Sequence, residues 1–476
     1  MKPGIVPSTL LLGLGAVVIS CASRAPVFRP VDGSQHYERG VELQKKGDLE
    51  GAIAEYLIAL HLNPDLVAAH NNLGNLLGKK GALDAAIGEF RRAIELKPDH
   101  AISHYNLGVA LQNKGNLTAS IAEYRIAAGL DPNNADTANN LGVVLQAIGD
   151  LEGALLQYRS ALRLNPGHPD AHINLGNALQ KKGDLNGAIE EFHTAIRLDP
   201  KHAGAHNNLG VALQDQGNLE GAILEYRAAL LLNPDNANVH NNLGDLLGKR
   251  GDLDGAIDEL QAALRLNPNH AEAQNNLGVV LQDKGDLEGA IARYHAVLRL
   301  NPDHVIAHNN LGLAFQRRGD LEAAIAEYRA ALRVDPNHPE IHNNLGVALQ
   351  SKGDLMGAIV EYRTSLRLKP EDADTHNNLG ALLGKIGDFD GAEKEFQAAL
   401  RLKPDHAGAH YNLGIALMDQ GNASAAEKEL EEFLRLTPNT AIHRKEIDEA
   451  KKRLSELRCR VKKSPELANE FLPCIS

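Results

Sequence analysis

Three kinds of side chain recur in this sequence with spacings that could do chemistry. Pairs of asparagines stand at regular intervals, as in the segment HNNLG at 70–74, and a histidine precedes most of them. Three cysteines occupy positions 21, 459 and 474. Carboxamides can pair with a peptide backbone, imidazoles bind protons or metals, and thiols are acylated or oxidised. The chemistry open to these residues is therefore peptide binding, metal binding and covalent attachment.

The intervals come from an internal repeat of 34 residues. Aligned on a Leu-Gly pair, the chain contains twelve copies without insertions. With Gly33 as position 1, positions 8 and 15 are Gly and position 32 is Pro in every copy, and position 20 is Ala in eleven. Gly at 15 ends a helix, Asp or Asn at 16 caps the next helix, and Pro at 32 stops it. Each copy is predicted to be a helix–turn–helix, with helix A near positions 2–14 and helix B near 17–30. The copies span 33–66, 67–100, 101–134, 135–168, 169–202, 203–236, 237–270, 271–304, 305–338, 339–372, 373–406 and 407–440.

These constraints resemble the tetratricopeptide repeat family, whose repeat also has an aromatic residue at 24, Ala at 27 and Pro at 32. The resemblance covers residues 33–440 and implies an all-α fold, a right-handed α-solenoid (superhelix) of twelve units whose A helices line a concave groove. This chain departs from the family at position 4, which is His in ten copies instead of an aromatic residue.

The asparagine at position 6 is the candidate binding residue. At 100° per residue, positions 3, 4, 7, 11 and 14 form the predicted buried stripe of helix A, and positions 2, 5, 6, 9, 12 and 13 lie opposite. Position 12 adds a second polar row of seven glutamines, from Gln112 to Gln350. The predicted peptide-binding residues at position 6 are Asn72, Asn106, Asn140, Asn174, Asn208, Asn242, Asn276, Asn310, Asn344, Asn378 and Asn412.

Such a ladder of amides is similar to that of the O-linked N-acetylglucosamine transferases, whose solenoid holds extended polypeptide. The catalytic domain of those enzymes is absent from this sequence. The resemblance implies that the position-6 asparagines bind the backbone of an extended segment. The alternative is that these amides cap loops or bond to a neighbouring repeat, with no ligand involved.

The ten histidines at position 4 do not predict a metal site. Histidines of neighbouring copies are separated by at least one helix-packing distance, about 8–10 Å, whereas a zinc ligand lies about 2 Å from its ion. We expect each ring to be half-buried in place of the aromatic residue, with one nitrogen hydrogen-bonded. Protonation of many such rings near pH 6 is then expected to loosen the packing. No metal or other cofactor is predicted.

The first residues predict export and a lipid anchor. One cation, Lys2, precedes an uncharged apolar stretch and small residues, the layout of a secretory signal. The segment 18–21 (VISC) resembles the bacterial lipobox, in which the cysteine becomes the lipidated first residue. We predict a signal peptide at 1–20, lipidation of Cys21 and a tether at 21–32. The expected location is the bacterial cell envelope, on the outer membrane facing the periplasm in a Gram-negative cell. An uncleaved N-terminal anchor, or a secreted or periplasmic protein, is the alternative.

The last segment, 441–476, is predicted to be a capping helix and a tail. Ile447, Ala450, Leu454, Leu457 and Val461 form an apolar stripe that would cover the final repeat near 442–461. A short terminal helix is expected to begin at Ser464-Pro465-Glu466. An oxidising compartment would permit a disulfide between Cys459 and Cys474, and two free thiols are the alternative.

Composition argues against two classes of function. The formal charge of −12 and a pI near 6.0 disfavour nucleic-acid binding. No phosphate-binding loop or nucleophile motif occurs, and the segments outside the repeats are too short for a catalytic pocket. We therefore expect neither an enzyme nor a binder of small-molecule substrates. The predicted function is a non-catalytic, membrane-anchored scaffold for protein or extended peptide segments, with a role in assembling envelope complexes. A structural spacer, or an adaptor that recruits an enzyme encoded elsewhere, is the alternative.

Overall fold

The structure is a computed structural model that describes residues 32–438 and 444–462, with backbone only at 459–462. The described residues contain 25 α-helices and no strand, which confirms the all-α prediction. The chain divides into two compact units, one ending at Pro200 and one beginning at Lys201. The first unit contains α1 (Gly33–Lys45), α2 (Leu49–Leu62), α3 (Val67–Lys79), α4 (Leu83–Leu96), α5 (Ala101–Asn113), α6 (Leu117–Leu130), α7 (Ala135–Ala147), α8 (Leu151–Leu164), α9 (Pro169–Lys182) and α10 (Leu185–Leu198).

The second unit continues the same alternation of A and B helices. It contains α11 (Ala203–Asp215), α12 (Leu219–Leu232), α13 (Ala237–Lys249), α14 (Leu253–Leu266), α15 (Ala271–Lys284), α16 (Leu287–Leu300), α17 (Val305–Arg318), α18 (Leu321–Val334), α19 (Pro339–Lys352), α20 (Leu355–Leu368), α21 (Ala373–Lys385), α22 (Phe389–Leu402), α23 (Ala407–Asp419), α24 (Ala423–Leu436) and α25 (Arg444–Lys462). In each unit, every helix packs against the next one along the chain, as in an α-solenoid.

The turn inside each repeat has the predicted chemistry. All twelve glycines at position 15 have positive φ, between 80° and 95°, a conformation that costs side-chain-bearing residues energy. The Asp or Asn at position 16 caps helix B, as where Asp286 accepts a hydrogen bond from the Gly289 N–H at 2.9 Å. Helix B spans positions 17–30 as expected, while helix A begins at position 1, one residue earlier than predicted.

Helices A and B of one repeat approach closely where the glycine at position 8 faces the residue at position 24. A Cβ added to Gly312 would lie 2.6 Å from the ring of Tyr328, which is fully buried. The buried stripe of helix A also differs from the prediction. Position 10 is buried, as at Leu76 and Ala314. Position 14 is exposed because it ends the helix, and Lys284 there bridges to Asp254 of the preceding repeat at 2.6 Å.

The predicted capping helix is present as α25. Ile447, Ala450, Leu454 and Leu457 are buried, as the apolar stripe indicated. Arg458 anchors the helix to α24 through Glu427 at 2.6 Å. This helix covers the apolar end of the last repeat. The terminal helix predicted at 464 lies outside the described residues.

Candidate binding surface on the A helices

The eleven predicted binding asparagines at position 6 are all partly buried, so each keeps some exposure to solvent. Positions 5, 6, 9 and 13 of the A helices, which we call the amide face, lie near one another by helical spacing. Position 9 is apolar in most repeats, and Val279 there is 39% exposed. The amide face therefore combines a row of carboxamides with a neighbouring apolar row.

In the second unit, one asparagine–asparagine hydrogen bond joins each repeat to the next, without interruption. The position-6 Nδ2 of each repeat donates to the position-5 Oδ1 of the repeat before it. For example, Asn310 donates to Asn275 at 3.0 Å and Asn344 donates to Asn309 at 3.0 Å. The six bonds, all between 3.0 and 3.3 Å, join Asn242–Asn207, Asn276–Asn241, Asn310–Asn275, Asn344–Asn309, Asn378–Asn343 and Asn412–Asn377.

The corresponding row of the first unit is irregular. Asn174 bonds to Asn139 in the same way at 2.9 Å. Position 5 is Tyr in two other repeats, and Asn140 donates instead to the Tyr105 hydroxyl at 3.0 Å. Asn71 is turned to Ser103, and no partner within the described residues reaches Asn106 Nδ2, which is buried. A regular amide row is thus a property of the second unit.

The bonds between repeats use only part of each carboxamide. The position-6 Nδ2 contributes one of its two N–H groups. Within the described residues, the Oδ1 atoms of Asn276, Asn310, Asn344 and Asn378 accept no hydrogen bond. An oxygen of this kind can accept two hydrogen bonds. The row therefore presents Oδ1 acceptors, and the hydrogen bond that each Nδ2 donates to the preceding repeat fixes their orientation.

Seven glutamines at position 12, namely Gln44 and all of the second polar row except Gln180, pair with a buried tyrosine of the same repeat. In all seven repeats with Tyr at position 24, position 12 is Gln. The tyrosine hydroxyl donates to the glutamine Oε1 at 2.8–3.3 Å, as in Tyr328–Gln316 at 2.9 Å. Burial raises the pKa of the Tyr328 hydroxyl. These glutamines satisfy a buried hydroxyl, and the pairing of residue types among repeats could have revealed it.

The histidines at position 4 are buried or half-buried, as expected, but most use both ring nitrogens instead of one. In all ten copies Nδ1 lies 2.5–2.6 Å from the glutamate at position 23 of the same repeat. In eight, Nε2 also lies 2.9–3.0 Å from the proline carbonyl of the preceding repeat, as between His376 and Pro370. A carbonyl and a carboxylate both accept, so both nitrogens must donate. The geometry therefore fits an imidazolium.

The groups around two of these rings raise the histidine pKa, in agreement with the imidazolium geometry. The Glu395 carboxylate raises the pKa of His376 against the effect of burial, with help from the Pro370 carbonyl. For His70, burial alone would lower the pKa, but Glu89 and Pro64 together outweigh it and raise the pKa. Protonation strengthens these contacts. The expectation that protonation near pH 6 loosens the packing is therefore wrong in sign for these rings.

The exceptions at position 4 support this interpretation. Where position 4 is Gln274, position 23 is Arg293, and the Gln274 Oε1 accepts from the Arg293 guanidinium at 3.3 Å. Its Nε2 donates to the Pro268 carbonyl at 3.2 Å, as the histidines do. Where position 4 is Ala138, the glutamate at position 23 is also replaced, by Gln157. Positions 4 and 23 therefore change together, a signal that was present in the sequence.

A second row of histidines occupies position 34, and the sequence pattern alone did not indicate its role. The Nδ1 of His304 accepts from the backbone N–H of Ala307 at 3.1 Å and caps α17. His202, His270 and His406 cap their helices in the same way. In these four caps Nδ1 accepts a backbone hydrogen bond, whereas Nδ1 of the position-4 rings lies against a carboxylate.

The remaining predicted sites are not tested by the described residues. Cys21 and Cys474 lie outside them, as does the side chain of Cys459. Within residues 32–438 and 444–462, no group of three His, Cys, Asp or Glu side chains could hold a metal ion. The helices described there include none long and apolar enough to span a bilayer.

Family models match most of the chain. Models of the tetratricopeptide repeat match residues 173–238, 278–339, 311–373 and 377–441, residues 225–258, and residues 101–134. A further model, described as TPR repeat, matches 40–81, 74–115, 147–183 and 244–285. Together these segments run from 40 to 441 with gaps only at 135–146 and 374–376. None of these models describes a catalytic family. No curated protein sequence matches the chain.

Several solved structures are similar to this one. Yeast Tom70 is 18% identical, with a TM-score of 0.45, over 92% of this chain and 98% of that chain. The Cut9–Hcn1 hetero-tetramer is 15% identical, with a TM-score of 0.48, over 88% and 96%. YrrB, described as a TPR protein with an unusual peptide-binding site, is 26% identical, with a TM-score of 0.34, over 39% and 95%. On the strength of the family models, the chain belongs to the tetratricopeptide repeat family, a family of protein–protein interaction scaffolds.

Proposed function

We propose that this protein is a non-catalytic scaffold that binds extended polypeptide along the amide face of its A helices. The observation that carries the proposal is the uninterrupted asparagine row of the second unit. Its position-6 asparagines are partly buried, and within the described part of the chain the Oδ1 atoms of Asn276, Asn310, Asn344 and Asn378 accept no hydrogen bond. An extended chain has backbone N–H groups free to donate to such oxygens, whatever its side chains are.

The bonds between repeats bear on the alternative of a spacer without a ligand. They give the amides a structural role, since each ties one A helix to the next. A spacer, however, does not need a row of position-6 Oδ1 atoms that are oriented but accept no hydrogen bond. We therefore favour a dual role, in which the nitrogen side of each position-6 amide orders the row and the oxygen side binds the partner.

A matched pair of variants separates these roles. Asn344→Ala and Asn309→Ala both remove the same bond between repeats, but only Asn344→Ala removes an oxygen from the position-6 row. We expect Asn344→Ala, made together with Asn310→Ala and Asn378→Ala, to abolish capture of envelope polypeptides. The matched triple variant at Asn309, Asn275 and Asn343 keeps the position-6 oxygens and should weaken capture less. Gln261→Ala, an exposed carboxamide on the B helix α14, is the surface control. Equal capture by all three variants would refute the proposal, provided their thermal melts are similar.

We further propose that the scaffold is anchored to the bacterial cell envelope through an acylated Cys21. The support is the residue pattern at 18–21 and the uncharged apolar stretch before it. Acylation contributes about 0.8 kcal/mol per buried CH₂, and more than one chain is needed for stable anchoring. Labelling cells with a palmitate analogue should mark the wild-type protein and leave Cys21→Ala unmarked. Recovery of the variant in the soluble fraction would accompany this result, and labelling of the variant would exclude Cys21 as the site.

The envelope location also bears on Cys459 and Cys474, which we propose to be disulfide-bonded there. Alkylation of the unfolded protein without reductant should leave both thiols unmodified. A role in assembling envelope complexes, or in recruiting an enzyme encoded elsewhere, would follow from the identity of the captured polypeptide.

A further inference from the structure

The spacing of the amide row restricts the conformation of the partner. Consecutive A helices of the second unit are direct neighbours, because their asparagine side chains bond to one another at 3.0–3.3 Å. Neighbouring packed helices lie about 8–10 Å apart. A partner that makes the same contact in every repeat must therefore repeat itself at about that distance.

Two extended conformations can be compared with this distance. A β-strand rises about 3.3 Å per residue and returns to the same face every two residues, or about 6.6 Å. A polyproline II helix rises about 3.1 Å per residue and returns every three residues, or about 9.3 Å. Only the second period falls within the spacing of the A helices. A polyproline II segment also has no internal hydrogen bonds, so its N–H groups are free to donate.

The side chains beside the amide row fit the same geometry. Position 9 lies one helical turn from position 6 and gives a row of half-exposed apolar residues parallel to the amides, including Val211, Leu313, Val347 and Ile415. A three-residue period would place one residue of each turn against this row and one N–H against the amides. Asp245 interrupts the apolar row and is paired with Lys249 at 2.6 Å.

The charges on the amide face favour an uncharged partner. Position 13 carries both signs in neighbouring repeats, and Arg317 lies 3.5 Å from Asp283. A partner with charges of one sign at every third residue would meet a like charge in some repeats. A partner without charges avoids this repulsion and leaves the existing pairs intact.

We propose that the second unit binds an uncharged polyproline II segment with a period of three residues, in which one residue per turn keeps its N–H and the others are proline or apolar. This inference rests on the proposed function and specifies its ligand. A segment of 18 residues spans about 56 Å, which matches six helix spacings of about 8–10 Å.

The test uses labelled synthetic peptides and the full-length protein, with binding followed by fluorescence anisotropy. The probe is (Ala-Pro-Pro) repeated six times. One control has the same composition with irregularly placed alanines, and a second is an 18-residue oligoproline, which has no internal N–H. We expect the periodic peptide to bind at least about tenfold more tightly than either control. Asn344→Ala should weaken its binding more than Asn309→Ala does, because only Asn344→Ala removes an oxygen from the position-6 row.

The outcomes separate this inference from the proposed function. If the periodic and irregular peptides bind equally, the peptide period does not have to match the spacing of the A helices. If oligoproline binds as tightly as the periodic peptide, the peptide N–H groups do not donate to the asparagines. Either result would overturn this inference. If none of the peptides binds but envelope polypeptides are still captured through the position-6 asparagines, this inference fails and the proposed function stands. If the triple position-6 variant also captures normally, both fail.

Discussion

The contact of His376 with Glu395 and Pro370 gives a prediction whose sign is set by the structure. Nδ1 lies 2.5 Å from the Glu395 carboxylate and Nε2 lies 3.0 Å from the Pro370 carbonyl. Replacing His376 with Gln keeps a donor for the carbonyl, as Gln274 shows at its own position. The variant loses the charged pair with Glu395.

The magnitude follows from that single loss. Hydrogen bonds to charged groups contribute about 1.5–3 kcal/mol. Since the Glu395 side chain is 27% exposed, solvent screening reduces this contribution to about 1–2 kcal/mol. Such a change corresponds to a factor of about 5–30 in a local opening equilibrium. Because the pKa of His376 is raised in the folded state, its contribution is complete below the unfolded pKa, about 6.5, and is lost as the pH rises through the folded pKa.

The assay is amide hydrogen exchange of α21 and α22 in the full-length protein, since global unfolding of a repeat array is not a two-state process. At pH 6 the ratio of exchange rates, variant to wild type, should be about 5–30. As the pH rises through the folded pKa of His376, the ratio should fall towards one, because the wild-type ring loses its proton. The double variant His376→Gln with Glu395→Arg, which reproduces the pair at Gln274 and Arg293, should recover part of the protection. A ratio that stays constant or grows with pH would refute the imidazolium assignment.

Three further substitutions test the packing. Gly312→Ala should destabilise the protein by about 1–3 kcal/mol, because the new Cβ would lie 2.6 Å from the Tyr328 ring; a thermal melt measures it. Gly88→Ala, in the interior of α4 with nothing within 4 Å, should instead stabilise by about 0.5–1 kcal/mol, and destabilisation there would contradict the close-approach argument. Tyr328→Phe removes the 2.9 Å bond to Gln316 and should cost about 0.5–1.5 kcal/mol in the same melt, whereas a neutral result would mean that solvent already satisfies the hydroxyl.

The fold was predictable because each repeat contains the residues that begin and end its own helices. The glycine at position 15, the cap at position 16 and the proline at position 32 act locally, so helix ends could be assigned within one residue. The glycine at position 8 and the alanine at position 20 of the repeat likewise indicated the close approach of the two helices. Repetition made these signals unambiguous, since an accidental residue would not recur twelve times.

The residues of the candidate site were predicted from the sequence, but their hydrogen-bond partners were not. The sequence placed Asn310 on a solvent-facing side of helix A, and the structure leaves it partly exposed. Its bond to Asn275 joins residues 35 positions apart, and no single repeat contains both partners. The roles of Gln316 and of Glu395 were missed for a similar reason, although the correlated choice of residues at positions 12 and 24, and at 4 and 23, was visible in the sequence.

The repeat, the ends of its helices and the residue types on each face follow from the amino-acid sequence alone, because they depend on backbone preferences and helical periodicity within 34 residues. Which atoms of those residues already have hydrogen-bond partners depends on how the helices pack. Hydrogen-bond partners on neighbouring helices depend on distances between elements, which local preferences do not set. Thus the packing of one A helix against the next decided that the asparagine nitrogens bond between repeats, and that His376 meets a carboxylate and a carbonyl at once.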